Sequence, residues 1–260
     1  MAPEAAARGL LLDWGGVLTS DVFAGFQLFC EDEGLDPLRV RELFAADPDG
    51  RQALVELETG VITEPEFEIR LAALLELGPD RTPGLVDRVF GSIVAEEAIF
   101  EALRIARSNG IRTGLLSNSW GVERYPHDQL PELFDAIVIS GQEGVRKPDE
   151  AIYEIAVQRL ALPATEIVFV DDLPGNLKPA RALGMITVHH TSAAQTLSEL
   201  EQHFALPLRA SCPSRRGSAR AAPRRGRRQL RGRRANRSAR RLDRGRTQPA
   251  PGAHRPALRS

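Results

Sequence analysis

The sequence predicts an α/β fold: a doubly wound parallel sheet with an inserted all-helical cap, followed by a disordered basic tail. Three features of the 260 residues lead to this prediction. Short apolar runs rich in Ile and Val alternate with helical patterns, as parallel strands do when helices cover both faces of a sheet. Residues 20–90 interrupt the alternation with helical patterns alone, and the composition changes abruptly near residue 209.

The apolar runs and the patterns between them define the expected elements of the sheet domain. We expect strands at Gly9–Leu12, Ile111–Leu116, Ala136–Ile139, Ile167–Val170 and Ile186–Val188. The accompanying helical patterns cover Glu96–Ser108, Glu123–Leu133, Asp149–Leu160, Gly175–Leu183 and Ala193–His203. Gly110 and Gly184 stand where two of these helices should end. Sheets of this kind bind ligands at the carboxyl ends of their strands, so functional residues are expected there.

The segment between the first two strands contains helical patterns only. The expected helices are Val22–Glu33, Pro37–Ala46, Arg51–Glu58, Glu64–Leu77 and Pro83–Val89. Because this segment follows the first strand directly, we expect it to form a cap over the carboxyl edge of the sheet. The expected organisation is therefore a core of residues 1–19 and 91–208, a helical cap of residues 20–90 and a tail of residues 209–260.

The tail differs from the rest of the chain in charge. Of the 34 basic and 35 acidic residues in the chain, the segment 209–260 holds 18 arginines and one acid, which leaves 16 basic and 34 acidic residues for 1–208. A segment of this composition cannot bury enough apolar surface to order itself, so we predict disorder. Its arginines could contact nucleic acid through phosphates. Out-of-frame reading of GC-rich DNA would give a similar composition, and the abrupt junction favours this second interpretation.

The bulk properties favour an intracellular protein. The two cysteines, Cys30 and Cys212, are too few for a disulfide framework, and no Cys/His cluster suggests zinc. The apolar run Leu10–Leu12 ends at Asp13 and is too short for a signal peptide or a membrane span. We therefore expect a cytoplasmic protein with no membrane contact, while the sequence carries no signal for an oligomeric state.

Polar residues occur where predicted strands end. Asp13 follows the first strand, Ser117 ends the second, Lys147 lies in a loop before a helix, and the Asp171-Asp172 pair follows the fourth strand. A positioned carboxylate can attack phosphorus, and a lysine can stabilise the developing negative charge. Lys147 is one of only two lysines in a chain whose usual basic residue is arginine, and this favours a specific role for it in this loop. Two adjacent acids suit Mg²⁺, which prefers oxygen ligands.

These motifs resemble those of the haloacid dehalogenase (HAD) superfamily over roughly residues 8–203. The stretch D-W-G-G-V at 13–17 is similar to the family's DxDG[TV] signature. The stretches V-D-D-L-P-G-N at 170–176 and L-E-T-G-V-I-T at 57–63 resemble subfamily I, namely the phosphatase-like N-terminal domain of soluble epoxide hydrolases and bacterial relatives. The resemblance implies a HAD-like, Rossmannoid fold and a phosphatase that acts on a small phosphorylated metabolite.

The resemblance also implies roles for individual residues. Asp13 would form an aspartyl-phosphate, Ser117 would donate a hydrogen bond to the phosphoryl group, and Lys147 would bind the phosphate. The residues expected to hold Mg²⁺ are Asp13, Gly15 through its backbone carbonyl, Asp171 and Asp172. The residues expected to contact the substrate are Trp14, Ser117, Asn118 and Lys147. Packing under the cap is an equal expectation for Trp14.

Position 15 departs from the family signature. The family's second aspartate protonates the leaving alcohol and later activates water, and Gly15 can do neither. Positioned proton transfer typically contributes about 10²–10⁴-fold in rate. We therefore expect aryl phosphates, whose leaving groups need no proton, to react while alkyl phosphates lag by orders of magnitude. Asp21 and His127 could substitute, although a helix N-cap for Asp21 and a surface position for His127 are the simpler expectations.

Two other functions remain open. A metal-independent 2-haloacid dehalogenase also uses an aspartate nucleophile and lacks the second aspartate, but such enzymes have lost one or both of the acids at the positions of Asp171 and Asp172. A protein that binds a phosphorylated ligand without turnover would also be consistent with Gly15. A dehalogenase should survive EDTA, and a silent binding protein should hydrolyse no phosphate ester.

Overall fold

The computed structural model describes residues 7–209. The predicted disorder of the tail and its contacts with nucleic acid fall outside this range, except for Arg209, and stay predictions. None of the described helices combines the length and the apolar character that a bilayer crossing requires.

Five parallel strands form one sheet, as the sequence predicts. They are β1 Gly9–Leu12, β2 Arg112–Ser117, β3 Ala136–Ile139, β4 Ile167–Asp171 and β5 Ile186–His189. Their order across the sheet is β3-β2-β1-β4-β5, and every neighbouring pair is parallel. The chain builds outward from β1 to one side and then to the other. Such a switch point is where doubly wound sheets bind ligands, and β1 ends immediately before Asp13.

Helices cover both faces of the sheet. In chain order the helices are α1 Val22–Glu33, α2 Arg39–Ala46, α3 Pro48–Glu58, α4 Glu64–Leu74, α5 Leu85–Val89, α6 Glu97–Ser108, α7 Leu130–Leu133, α8 Ser140–Glu143, α9 Glu150–Leu160, α10 Pro174–Ala182 and α11 Ala193–Phe204. Leu10 and Leu12 of β1 pack in an apolar cluster with α6 and α11, whereas Leu11 packs in a second cluster with α9 and α10. This alternation with period two confirms the doubly wound sheet.

The predicted helix Glu123–Leu133 is wrong. The structure has a short 3₁₀ turn at Val122–Arg124, extended backbone at Tyr125 and only the four-residue α7. Pro126 explains the break, because its ring disfavours helical backbone at the preceding residue and it has no N–H to donate. As a result, the side chain of Tyr125 lines the cavity described below.

Helices α1 to α5 lie in the helical insert, which we define as residues 20–90. Their apolar faces form a cluster of their own around Phe26, Leu43, Phe67 and Val86. Side-chain caps fix the helix starts: Asp47 accepts from Gly50 N before α3, and Thr63 forms a capping box before α4.

The chain enters and leaves the helical insert through paired backbone. Ser20 N donates to Val94 O at 2.8 Å, and Glu96 N donates to Leu18 O at 2.9 Å. This closure supports the proposed division into a cap and a core, which stays a proposal.

Trp120, in the loop after β2, packs into the cluster of the helical insert. Its ring centroid lies 4.9 Å from that of Phe90, 5.4 Å from Phe44 and 5.5 Å from Phe26. Since Ser117 and Asn118 lie just before it, this loop links the edge of the sheet to the insert.

Candidate active site

The carboxyl edge of the sheet brings an ammonium group between two carboxylates. Asp13 follows β1, Asp171 ends β4, and Lys147 lies in the loop between α8 and α9. Lys147 Nζ lies 2.8 Å from Asp13 Oδ1 and 2.7 Å from Asp171 Oδ2. All three side chains are buried. A buried ammonium group must be paired, so these contacts fix the position of Lys147.

Asp172 completes an acidic cluster with Asp13 and Asp171. One ligand oxygen from each of the three carboxylates lies within 4.8 Å of the others. When ionised, the three carboxylates carry three negative charges and Lys147 carries one positive charge, so the net charge of the group is −2. Mg²⁺ is a small dication that carboxylate oxygens bind together with waters and substrate phosphate. The donor type, the spacing and the charge of this cluster therefore fit Mg²⁺.

Burial and mutual repulsion change the pKa values of this cluster. Burial raises the pKa of Asp172 to about 6, and the charge of Asp171 adds to the rise. Burial also raises the pKa of Asp13 well above its ordinary value, against the attraction of Lys147. Burial alone would lower the pKa of Lys147, but the charges of Asp13 and Asp171 raise it. A bound dication would favour the ionised acids.

The turn after β1 places its residues against the acidic cluster. Trp14 N donates to Asp13 Oδ1 at 2.7 Å. Gly16 has a φ of 73°, in the left-handed region, and a Cβ at this position would lie 2.5 Å from Asp172 Oδ2. The second glycine of D-W-G-G-V is therefore required both by the turn and by the close approach of Asp172.

The residues at the end of β2 hold the loop that carries Lys147. We call this loop, residues 144–149 between α8 and α9, the lysine loop. Asn118 Oδ1 accepts from Lys147 N at 2.8 Å, and Asn118 Nδ2 donates to Lys147 O at 3.0 Å. Ser117 Oγ forms a hydrogen bond of 2.8 Å with the hydroxyl of Tyr125. Ser117 and Asn118 both also line the cavity described next, where the sequence predicts that they contact the substrate.

A cavity of about 600 Å³ adjoins the acidic cluster. We call the part of its lining next to the acidic cluster the polar wall, formed by Asp13, Ser117, Lys147 and Asp172. We call its aromatic lining from the helical insert and the β2 loop the aromatic wall, formed by Phe23, Phe26, Phe44, Phe90 and Trp120. Trp14 also lines the cavity, and its ring packs edge-on against Phe100 and Tyr125. Both expectations for Trp14 are therefore compatible with its position.

A sequence profile of the haloacid dehalogenase-like hydrolases matches residues 7–184. The chain belongs to this family. The resemblance that the sequence motifs predict is thereby confirmed, and the chain is a HAD hydrolase.

Relatives of this hydrolase include epoxide hydrolases and phosphatases. The rat bifunctional epoxide hydrolase 2 is 30% identical over 128 residues, which is 45% of this chain and 23% of that protein. The sesquiterpene phosphatase astK of Aspergillus oryzae is 27% identical over 150 residues, or 56% of this chain and 76% of that protein. The hydrolase thus spans less than a quarter of the epoxide hydrolase.

A solved structure shares the fold of this hydrolase. The HAD enzyme bt-2542 of Bacteroides thetaiotaomicron has a TM-score of 0.57 at 21% identity, covering 75% of this chain and 98% of that one. That enzyme has also been solved in complex with magnesium and inorganic phosphate.

Among the polar residues that line the cavity, Glu58, Tyr125, Arg146 and Asn176 are given no role by the motifs. Asn176 Nδ2 donates to both oxygens of Asp171, at 3.0 and 3.1 Å, and so orients this carboxylate. Arg146 and Asn176 are close in sequence to motif residues, and that proximity is a usable signal. Glu58 lies in the stretch 57–63 that resembles subfamily I, but that resemblance gives it no role in the site. It reaches the cavity through the packing of α3.

Neither substitute acid named from the sequence lines the cavity. Asp21 is exposed and caps α1, with its Oδ1 accepting from Phe23 N at 2.8 Å. His127 is exposed, and its Nε2 lies 2.8 Å from Val122 O. The simpler expectation is confirmed for both residues.

Proposed function

We propose that this hydrolase is a Mg²⁺-dependent phosphatase acting on a small phosphate monoester with an apolar alcohol. The proposal is carried by one cavity that joins the acidic cluster and Lys147 to an aromatic wall. A phosphoryl group suits the polar wall because Lys147 offers fixed positive charge. An apolar alcohol suits the aromatic wall, and the relative named sesquiterpene phosphatase supports this choice.

Asp13 is the proposed nucleophile. Both of its contacts, with Trp14 N and Lys147 Nζ, fall on Oδ1. Among residues 7–209 its Oδ2 has no hydrogen-bond partner, so Oδ2 is the oxygen available to attack phosphorus and form an aspartyl-phosphate. Lys147 then stabilises the charge on the phosphoryl oxygens. Ser117 donates to one of these oxygens after exchanging its contact with Tyr125.

Mg²⁺ is the proposed cofactor, held by Asp13, Asp171, Asp172 and the carbonyl of Gly15. When bound, it supplies positive charge beside the phosphoryl oxygens. Asp171 is prepared for this role because Leu173 N donates to its Oδ1 at 2.8 Å and Asn176 holds both oxygens. The magnesium and phosphate complex of bt-2542 is consistent with this assignment.

The test is a panel of aryl phosphates, alkyl phosphates and 2-haloacids, each assayed with Mg²⁺ and with EDTA. We expect phosphate release with Mg²⁺, its loss in EDTA and its recovery when Mg²⁺ is restored. Activity that survives EDTA, on 2-haloacids in particular, would instead establish the dehalogenase alternative. The presence of both Asp171 and Asp172 beside Asp13 disfavours that alternative, because metal-independent dehalogenases have lost one or both of these acids.

Gly15 favours a second candidate, a protein that binds a phosphorylated ligand with Mg²⁺ but does not hydrolyse it. Mg²⁺-dependent binding of phosphate, with no turnover of any ester in the panel, would establish this function. The cytoplasmic location, the absence of membrane contact and any binding of nucleic acid by the tail remain predictions from the sequence.

A further inference from the structure

We propose that Glu58, the last residue of α3, is the proton donor that replaces the aspartate missing at position 15. This proposal rests on the proposed phosphatase function. In the described part of the chain three carboxylates line the cavity, those of Asp13, Asp172 and Glu58. Asp13 and Asp172 belong to the acidic cluster, so Glu58 is the acid left for the leaving group.

Three contacts fix Glu58 against α8, the lysine loop and the residue after β2. Ser140 Oγ donates to the backbone carbonyl of Glu58. Arg146 Nε lies 2.6 Å from Glu58 Oε2, and Asn118 Nδ2 lies 3.5 Å from the same oxygen. Arg146 precedes Lys147 in the chain, and Asn118 binds the backbone of Lys147 on both sides. The carboxyl group from the insert is therefore held beside the residue that would bind the phosphate.

The carboxyl group of Glu58 retains an oxygen for proton exchange. Both side-chain contacts, those with Arg146 and Asn118, fall on Oε2, while Oε1 has no hydrogen-bond partner among residues 7–209. The Arg146 contact is not a directed hydrogen bond, since Arg146 Nε is a buried atom with no hydrogen-bond partner. The Glu58 side chain is only 6% exposed, and it borders the cavity in which the substrate would bind.

The surroundings of Glu58 set its affinity for a proton. Burial raises its pKa to about 7, against the lowering effects of Arg146 and Lys147. Tyr125 lines the same cavity, and burial, with the charges of Asp13 and Glu58 adding to it, raises the pKa of its hydroxyl. From α2, Arg41 lines the same cavity. A group whose pKa lies near working pH can both give and take a proton efficiently.

The chemistry balances over two steps. In the first, Asp13 Oδ2 attacks phosphorus, the ester P–O bond breaks, and the leaving oxygen takes the proton of Glu58 and departs as the alcohol. In the second, the Glu58 carboxylate takes a proton from water while the water oxygen attacks phosphorus. The P–O bond to Asp13 then breaks, and inorganic phosphate and the Asp13 carboxylate are released. Glu58 ends the cycle protonated, as it began.

The experiment compares wild type and Glu58→Gln on 4-nitrophenyl phosphate and on an alkyl phosphate, with Mg²⁺ present. In wild type we expect a small lag of the alkyl ester, in contrast to the expectation from Gly15 alone. In Glu58→Gln we expect the first step to slow by about 10²–10⁴-fold for the alkyl ester. The rapid burst of nitrophenolate should stay unchanged, while phosphate accumulates on Asp13 because water is no longer activated.

Three variants complete the design. Glu56→Gln, on the same helix but paired with Arg70 at the surface, should behave as wild type. Gly15→Asp in the Glu58→Gln background should restore the alkyl ester, since a Cβ at Gly15 meets only Val22 Cγ2, at 3.2 Å. If Glu58→Gln does not fold, Glu58→Asp should give an intermediate loss in the first step that is confined to the alkyl ester.

Two outcomes would overturn the proposal, and they are distinguishable. A large alkyl lag in wild type that Glu58→Gln leaves unchanged, or an equal loss on both esters in the first step, removes Glu58 as the donor and leaves the phosphatase intact. If wild type hydrolyses neither ester, the proposed function itself fails, and the donor with it.

Discussion

The polar wall and the aromatic wall line the same cavity but are held in different ways. The polar wall comes from strand ends and from the loop before α9, and directed contacts such as that of Lys147 with Asp13 fix its atoms. The aromatic wall comes from the helical insert and Trp120, and ring contacts hold its members: edge-on or tilted contacts of Trp120 with Phe90, Phe44 and Phe26 at 4.9–5.5 Å, and an edge-on contact of Phe23 with Phe26 at 6.0 Å. Ring packing tolerates changes of shape better than a charged cluster tolerates changes of charge. Under the proposed function, the polar wall would carry the reaction and the aromatic wall would select the substrate.

The largest effect is expected at Asp13. Asp13→Asn removes the nucleophile and should lower turnover by roughly 10⁴-fold or more on every ester, whatever its alcohol. Steady-state assays with Mg²⁺ measure the loss. Asp36→Asn, an exposed change of the same kind in the insert, serves as the control. Substantial turnover by Asp13→Asn would break the assignment of chemistry to the polar wall.

The next effect is a pH dependence of stability at Glu58, where the two walls meet. Its pKa is raised from an ordinary 4.5 to about 7, so between these values the folded state keeps a proton that the unfolded state has lost. Stability from this group is thus fully present below pH 4.5 and is lost as pH rises through 7. The loss is roughly 3 kcal/mol, from about 1.36 kcal/mol per pKa unit.

Urea unfolding of wild type and Glu58→Gln at pH 4 to 8 measures this term. The stability of wild type relative to the variant should fall across the range, whereas the Glu56→Gln control should show no such fall above pH 4.5. A constant difference between wild type and Glu58→Gln would mean that Glu58 titrates as an exposed glutamate does.

A smaller effect is expected for Gly16→Ala. The new Cβ would lie 2.5 Å from Asp172 Oδ2 and displace a proposed metal ligand. The Mg²⁺ concentration for half-maximal activity should rise by roughly 10–100-fold. Gly34→Ala is the matched control, since its φ of 72° carries the same backbone penalty but no atom lies within 4 Å of the added Cβ. Equal behaviour of the two variants would show that backbone strain alone is responsible.

The smallest effect is expected at the aromatic wall. Phe23 lines the cavity and is 37% exposed, so Phe23→Ala should remove ligand contact with little loss of packing. We expect about a tenfold higher KM for bulky apolar phosphates, equivalent to about 1.4 kcal/mol, with kcat unchanged. Leu28→Ala, on the same helix and outside the cavity wall, is the control. A fall in kcat would contradict the prediction that the aromatic wall affects only substrate binding.

The polar wall was largely predictable from the sequence, because apolar runs locate the strands and polar residues mark their ends. Asp13, Lys147 and Asp171 are far apart in the chain, yet parallel strands bring their carboxyl ends to one edge. The roles of these residues came from the family resemblance and not from the pattern. The helix expected at 123–133 failed because the effect of Pro126 outweighed the helical pattern around it.

The aromatic wall and Glu58 were not predictable in the same way. Periodicity places Phe26 and Phe67 on apolar helix faces, but it does not say that Trp120 from another segment completes their cluster. Glu58 likewise depends on the docking of α3 against Ser140 and Arg146, more than 80 residues away in the chain. Such positions follow from tertiary packing, for which a single sequence carries no local signal.

The chain contains two tryptophans, and both border the cavity. Trp14 adjoins the proposed nucleophile, and Trp120 belongs to the aromatic wall. Indole emission depends on local polarity and quenching, so this hydrolase carries its own optical reporters of occupancy. In Trp120→Phe the remaining emission would come from Trp14, beside the proposed phosphate site. In Trp14→Phe it would come from Trp120, in the aromatic wall. Arrival of the two parts of one ligand could then be timed separately, without any label.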